Sequence, residues 1–411
     1  MKNQEQWGRW GVVLLLGLGA CEVLIMISPF AGFFYASLHF QPLLGFLSNS
    51  SLTAWLDGFF LNHSVVTTSR LLEWQRQIGL YLFALGGWGF LISAAQVYGN
   101  KLLRRGVATG FLYRISRHPQ YLGLGVAGWG LLTIWPRFLL LGIWVTMLFL
   151  YAGLARFEER RMEERFGEDY LAYARTRGAF LPGNPVRRVF EATFGSLLSR
   201  PLAWLAAYAF CLLLAFSLGG ALRGYTRSHT VIVQLPQEQA VVISAWPQTR
   251  EWAEQVFEAA LADGQVRERL GERHGHPLVA TILPPRYVMK GMFYQMPPTA
   301  PGSGARRSFL GSLAWIGRTA FRFLVPLQGI TRSNTFMGVD PDEGAAPVEV
   351  VISRAEKPYK QGLALAEALD ASVRLTPLTV VDVQPQERKV LEVRVPLPQN
   401  RWGPHVVMPL F

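Results

Sequence analysis

Long apolar runs alternate with short polar loops through residues 1–222, and the alternation then stops. The first run, Trp10 to Tyr35, carries one charge, Glu22, and exceeds the roughly 20 apolar residues that a bilayer-spanning helix needs. Four more candidate spans follow at Ile78 to Tyr98, Tyr121 to Trp135, Phe138 to Ala155 and Pro201 to Leu222. The third is short and reads as one arm of a hairpin with the fourth, turning at Trp135-Pro136-Arg137. Between residues 38 and 70 the apolar patches Pro42 to Leu47 and Trp55 to Leu61 are too short to span, so this stretch reads as interfacial or re-entrant.

Beyond Arg223 the pattern becomes that of an α+β domain. Thr230 to Leu235 and Ala240 to Ala245 are β-rich runs around Pro236-Gln237-Glu238-Gln239, as in a hairpin. Arg250 to Leu270 has helical spacing, and Leu278 to Leu283 and Tyr287 to Tyr294 again read as strands, giving a small module over 225–298. A Pro/Gly-rich linker at 297–304 leads to a basic amphipathic helix carrying Arg307, Arg318 and Arg322. Strand and helix runs alternate from Val348 to Val395. The expected fold class is an α-helical integral membrane bundle of about five transmembrane helices followed by an α+β extramembrane domain. Its expected parts are residues 1–77 (first span and interfacial segment), 78–200 (membrane core), 201–222 (linking span) and 223–411 (extramembrane domain).

Composition agrees with a membrane chain, since half of the 411 residues are hydrophobic and the mean hydropathy is positive. Charge supplies an orientation. Nine arginines lie between Arg156 and Arg200, five basic residues lie between Lys101 and Arg117, and residues 37–77 hold only Arg70 and Arg76. Because Lys and Arg at membrane ends stay cytoplasmic, five spans place the amino terminus inside and residues after Leu222 outside. The net charge of +12 divides into +8 over residues 1–222 (19 basic, 11 acidic) and +4 over the rest (21 basic, 17 acidic). No block has the density of a nucleic-acid surface. Both cysteines, Cys21 and Cys211, fall in expected spans, which excludes a disulfide framework or a cysteine zinc site in the carboxy-terminal domain.

The ionisable groups that stand out flank the hairpin. Arg117-His118-Pro119-Gln120-Tyr121 opens it and Glu158-Glu159 leaves it. Pro119 disfavours helical geometry at His118 and suits the first turn of the following helix, so His118 caps that helix. Unpaired N–H groups and the positive end of the helix dipole attract an anion there, reinforced by Arg117 and Arg114, although Arg114 is better read as a headgroup anchor. Glu163 and Glu164 read as a solvated helix face. Glu158 and Glu159 sit nearest the apolar boundary, where a carboxylate needs a cation or hydrogen-bond donors.

The order Tyr113, Arg117-His118-Pro119, Tyr121, Gly123, an apolar hairpin, Glu158-Glu159, Phe166-Gly167, Tyr170, Tyr173 and Pro182 resembles the integral-membrane methyltransferases typified by isoprenylcysteine carboxyl methyltransferase. Phospholipid N-methyltransferases are similar to these. The resemblance covers about residues 78–185; Met162 stands where the family usually has Leu, and residues from 223 onward have no counterpart. It implies S-adenosylmethionine as methyl donor, in a cytoplasmic pocket lined by Tyr113, His118, Tyr121, Glu158 and Glu159. The physical reading of these residues agrees, since aromatic faces suit a sulfonium, a glutamate an amino group and a helix amino terminus a carboxylate. Arg117 is expected to orient an anionic acceptor, and Glu159 or His118 to take the proton from an amine acceptor; a carboxylate or thiolate needs no base. No metal is required. The expected acceptor is a lipid-like or small hydrophobic carboxylate, thiol or amine, with a protein partner docking on residues 223–411. Two other readings compete. One is a membrane-anchored binding or assembly protein with a degenerate core. The other is a membrane reductase on a similar bundle, disfavoured by the lack of a nucleotide-binding fingerprint.

Overall fold

A computed structural model describes residues 24, 26–33, 52–63, 65–103, 108–196, 198–285, 287, 346–356 and 374–396. The chain divides into two compact units. One comprises Met1–His39, Tyr81–Leu132 and Leu140–Ala215, the other Phe40–Leu80, Thr133–Leu139 and Phe216–Phe411.

The helices are α1 (Arg70–Leu102), α2 (Pro119–Ile134), α3 (Phe138–Thr176), α4 (Pro185–Phe190), α5 (Arg200–Ser228), α6 (Arg250–Ala262) and α7 (Gly264–Leu270). Three stretches are long and apolar enough to cross a membrane, Arg70–Asn100, Phe138–Thr176 and Arg200–Ser228. The expectation of about five spans is therefore met in part among the described residues. The first expected span is described only at 24 and 26–33, which are helical. The third is α2, whose 16 residues rise about 24 Å, short of a hydrocarbon core of about 30 Å. The other helices outrun their apolar windows, because polar residues at a span's ends remain helical.

Burial separates α2 from the rest. Tyr121, Leu124, Ala127, Leu131 and Leu132 are all buried, whereas α1 and α5 expose Leu85, Trp88, Leu205 and Leu213. A largely buried helix must admit close neighbours, and α2, exposed at Trp129 (44%), does so with glycine. A side chain at Gly123 would bring its Cβ to 2.7 Å from Phe90 N and 2.8 Å from Gly86 O, so α1 and α2 meet backbone to backbone. Close approach through small residues is the usual source of helix attraction where solvent supplies no hydrophobic drive. Within the same unit, Phe149 packs edge-on against Trp204 and Tyr208 of α5, and Thr146 Oγ1 lies 2.8 Å from Tyr208 Oη.

In the second unit, residues 52–63 fold over the turn between α2 and α3. Phe60 N donates to Pro136 O at 2.8 Å, Phe138 N to Gly58 O at 3.1 Å, and Arg137 pairs with Asp57 while lying over the Phe59 ring. Both charged side chains are buried, where breaking the pair would cost more than the pair itself contributes. No helix long enough to span occurs among the described residues 52–69.

The carboxy-terminal strands form one six-stranded sheet in the order β1-β2-β3-β4-β5-β6, comprising Ile232–Leu235, Ala240–Ser244, Leu278–Leu283, Val348–Glu356, Arg374–Gln384 and Lys389–Arg394. Neighbours are antiparallel except β2 and β3, which are parallel because α6 and α7 carry the chain back between them. The expected helix over 250–270 is thus two. Asp263 adopts extended geometry and its carboxylate accepts from Gln265 N and Val266 N, starting α7 afresh. Every residue of β2 and β3 is buried, with Trp246, Phe257 and Val66 in the same core. A module confined to 225–298 is therefore too small, since β4, β5 and β6 continue the same sheet. The strand expected over 287–294 (apart from Tyr287) and the linker and basic helix after 297 lie outside the described residues.

Candidate functional site

The polar groups flanking the hairpin meet within the first unit. Pro119 occupies the first position of α2 and Leu122 N donates to His118 O, so His118 stands at the helix cap as its proline neighbour requires. A second strand of chain holds it. Arg117 N donates to Gly178 O and His118 N to Ala179 O, both at 3.0 Å, while Ser116 Oγ donates to Ala179 O at 2.9 Å. Asn184 Oδ1 in turn accepts from Ala179 N at 2.6 Å. Segment 178–184 reaches this place because α3 kinks at Gly167, whose φ of 53° and ψ of −130° suit glycine. Past the kink, Tyr173 Oη donates to Tyr113 O at 2.7 Å.

His118 lies between the two glutamates. Its Nε2 is 3.1 Å from Glu159 Oε1 and its Nδ1 is 3.4 Å from Glu158 Oε2. Arg117 Nη2 makes the second contact to Glu159 Oε1 at 3.0 Å. Burial alone would push the His118 imidazole down, but hydrogen bonds and charge from Glu158 and Glu159 outweigh it and hold the ring above its ordinary value. The two carboxylates therefore favour the protonated form of the ring. Tyr121 Oη donates to Glu158 and its ring stacks on Tyr151 at 4.9 Å. Tyr113 is buried, donates to Gln120 Oε1 at 3.0 Å, and its phenol is pushed up by burial and then by the Glu158 charge. Phe180 packs on His118 with ring centroids 6.1 Å apart.

The structure thus brings together Arg117, His118, Tyr121, Glu158 and Glu159 in direct contact, with Tyr113 one shell away through Gln120. Glu163 and Glu164 are exposed, as a solvated face should be. Sequence reasoning did not single out Tyr151 or Phe180. Tyr151 sits two helical turns before Glu158 on α3, a spacing that marks the same face; Phe180 follows the loop and has no such signal.

The site can receive a ligand carrying both a carboxylate and a cation. One buried donor, Arg117 Nε, has no hydrogen-bond partner among the described residues, and His118 Nδ1 faces only Glu158 Oε2 at 3.4 Å. An unmet buried donor is costly, and an incoming anion would relieve it. The Glu158 carboxylate, partly exposed and hydrogen-bonded by Tyr121, is suited to a cationic centre. Among the described residues, no cluster of His, Cys, Asp and Glu could hold a metal ion.

A family model for phospholipid methyltransferase matches residues 74–169. A methanethiol S-methyltransferase of Pseudomonas deceptionensis is 30% identical over 141 residues, which is 32% of this chain and 50% of that protein. The chain therefore spans about half the length of that curated relative. No solved structure matches the chain.

Proposed function

Since residues 74–169 match the phospholipid methyltransferase family model, we propose that the chain is a membrane-embedded, S-adenosylmethionine-dependent methyltransferase acting on an acceptor that is already anionic, a hydrophobic thiolate or carboxylate. The pairing of His118 and Arg117 with Glu159 is the observation that supports this choice of acceptor.

The donor fits the residues present. The amino terminus of α2 would hold its carboxylate, Glu158 its amino group, and the faces of Tyr113 and Tyr121 its positive sulfur. When bound, it supplies an electrophilic methyl group. The chain's own contribution is positioning, since methyl transfer requires acceptor, methyl and sulfur in line. Arg117 Nε is left to orient an anionic acceptor while Nη2 stays on Glu159.

An amine acceptor would need a base. The two carboxylates favour the protonated form of His118, and Glu159 is engaged by Arg117 and His118, so both are poorly placed to accept a proton. A carboxylate makes no such demand, and a thiol meets it by losing its proton to water before it binds, an ordinary thiol being about a few per cent thiolate at neutral pH. The substrate named for the Pseudomonas protein, a thiol, is of the same chemical class.

The test is methyl transfer from isotope-labelled S-adenosylmethionine by the full chain in nanodiscs, offered matched hydrophobic thiols, carboxylates and amines at neutral pH. Thiol or carboxylate products should form, and Arg117→Lys should lower turnover more than donor affinity, because an ammonium cannot reproduce a planar fork. Amines methylated as fast as thiols would overturn the acceptor assignment. Absence of donor binding by calorimetry would favour the anchored binding protein instead.

A further inference from the structure

We propose that Arg156, Arg187 and Arg200, together with the Trp204 indole, form a binding site for the phosphate of an anionic membrane lipid, separate from the methyl-transfer site. The guanidinium of Arg156 lies 4.1 Å over the Trp204 ring and 6.0 Å from that of Phe190. The indole is itself held by Phe190 at 5.8 Å and Phe149 at 5.6 Å, so the cation rests on a packed aromatic floor. Arg187 stands three residues before Phe190 on α4 and Arg200 four before Trp204 on α5, so each shares a helix face with one of the two rings that Arg156 covers.

Counting the partners leaves positive charge in excess. Glu159 is taken by Arg117 and His118. Glu191 stands 4.0 Å from Arg187 Nε with both side chains largely exposed, a pairing of little strength. Arg156, Arg187, Arg188 and Arg200 are all exposed. A guanidinium fork matches a phosphate, and three forks around one aromatic floor match it better than a carboxylate.

Exposed apolar residues identify the source of that phosphate as a lipid. Val186 (61% exposed) and Val189 (62%) flank Arg187 and Arg188 on α4, and Leu202 and Leu205 (63%) follow Arg200 on α5. Basic and apolar groups interleaved in this way suit a headgroup and its acyl chains at once, which a free phosphate would not use. Arg200 opens a stretch apolar enough to cross a bilayer, so the arginines stand at a span's end, the depth of the headgroups.

Lipid binding is read without turnover, so its outcome is distinct from that of the methyltransferase reading. The full chain, purified in detergent, would be offered phosphatidylglycerol and phosphatidylcholine of matched acyl chains, and retained lipid measured by native mass spectrometry. The native protein should keep phosphatidylglycerol in preference. Each of Arg156→Gln, Arg187→Gln and Arg200→Gln should weaken retention about fivefold, the scale for one basic residue at an anionic surface. The triple variant should lose the preference, while Arg250→Gln with Arg267→Gln and Arg269→Gln should keep it. Because Arg156 packs on Trp204, the double variant Arg187→Gln with Arg200→Gln, altering exposed side chains alone, must also lose most of the preference. Retention by the double and triple variants equal to native, or displacement of the lipid by inorganic phosphate at equal concentration, would overturn the site.

Discussion

Two carboxylates raise the proton affinity of His118 against the cost of its own burial, and this makes stability depend on pH in a definite direction. Its folded-state value lies above the 6.5 of a free imidazole, so the stabilisation is complete below about pH 6.5 and is lost as pH rises through the folded value. The melting temperature of the native protein in detergent should therefore fall from pH 6.5 upward, and His118→Gln should flatten that slope. Equal slopes in the two proteins would mean that the ring does not titrate as the geometry requires. Glu159 serves Arg117 and His118 together, so Glu159→Gln leaves two buried cations short of a partner. It should weaken S-adenosylmethionine binding by about 1–3 kcal/mol and also lower the melting temperature, contrary to a role confined to ligand contact. Calorimetry and a thermal scan on one preparation separate the two effects. Both glutamates were legible in the sequence because a carboxylate at the apolar boundary needs a partner. That Glu159 takes both cations while Glu158 takes Tyr121 was not, because adjacent residues on a helix point about 100° apart and only packing decides what each one meets.

At the scale of elements, the contact between α1 and α2 depends on glycine. The neighbours of a Cβ at Gly123 are backbone atoms, which cannot rotate away, so Gly123→Ala should destabilise by about 1–3 kcal/mol. Gly153 on α3 has nothing within 4 Å, and Gly153→Ala should be neutral or stabilise by up to about 1 kcal/mol through higher helix propensity. Thermal scans of the two variants make the comparison, and similar losses in both would remove close packing as the explanation. The strands β1, β2 and β3 were readable from β-rich runs and turn residues alone, since Leu278 to Leu283 is bounded as expected. The break at Asp263 was not, because helical spacing continues across it and a capping carboxylate differs from an ordinary surface one only by its contacts. The short apolar run at 121–135 likewise shows its hydrophobicity in the sequence but not its place, since burial by lipid and burial by protein select the same residues.

At the scale of the molecule, the arginine bias between 156 and 200 predicts that Thr176 faces the cytoplasm, and the span from Arg200 to Ser228 then puts Ser228 outside. With Cys21 and Cys211 replaced, Ser228→Cys should react with an impermeant maleimide in intact cells and Thr176→Cys should not, both positions being exposed. Ser116 is unsuitable as a reporter, being only 1% exposed, because it would be protected on either side. The reverse labelling pattern would invert the orientation. By itself the sequence determined that the chain is a membrane protein in its first half, where its ionisable groups gather, and that an α+β domain follows. Those properties are local, set by the apolar content and spacing of neighbouring residues. The tertiary structure alone decided that α2 lies inside its bundle, that residues 178–184 hold His118 in place, and that strands on both sides of the linker at 297–304 share one sheet. Each of these joins residues far apart in the chain, and such contacts form only where shape and unmet hydrogen-bonding groups on two segments fit together.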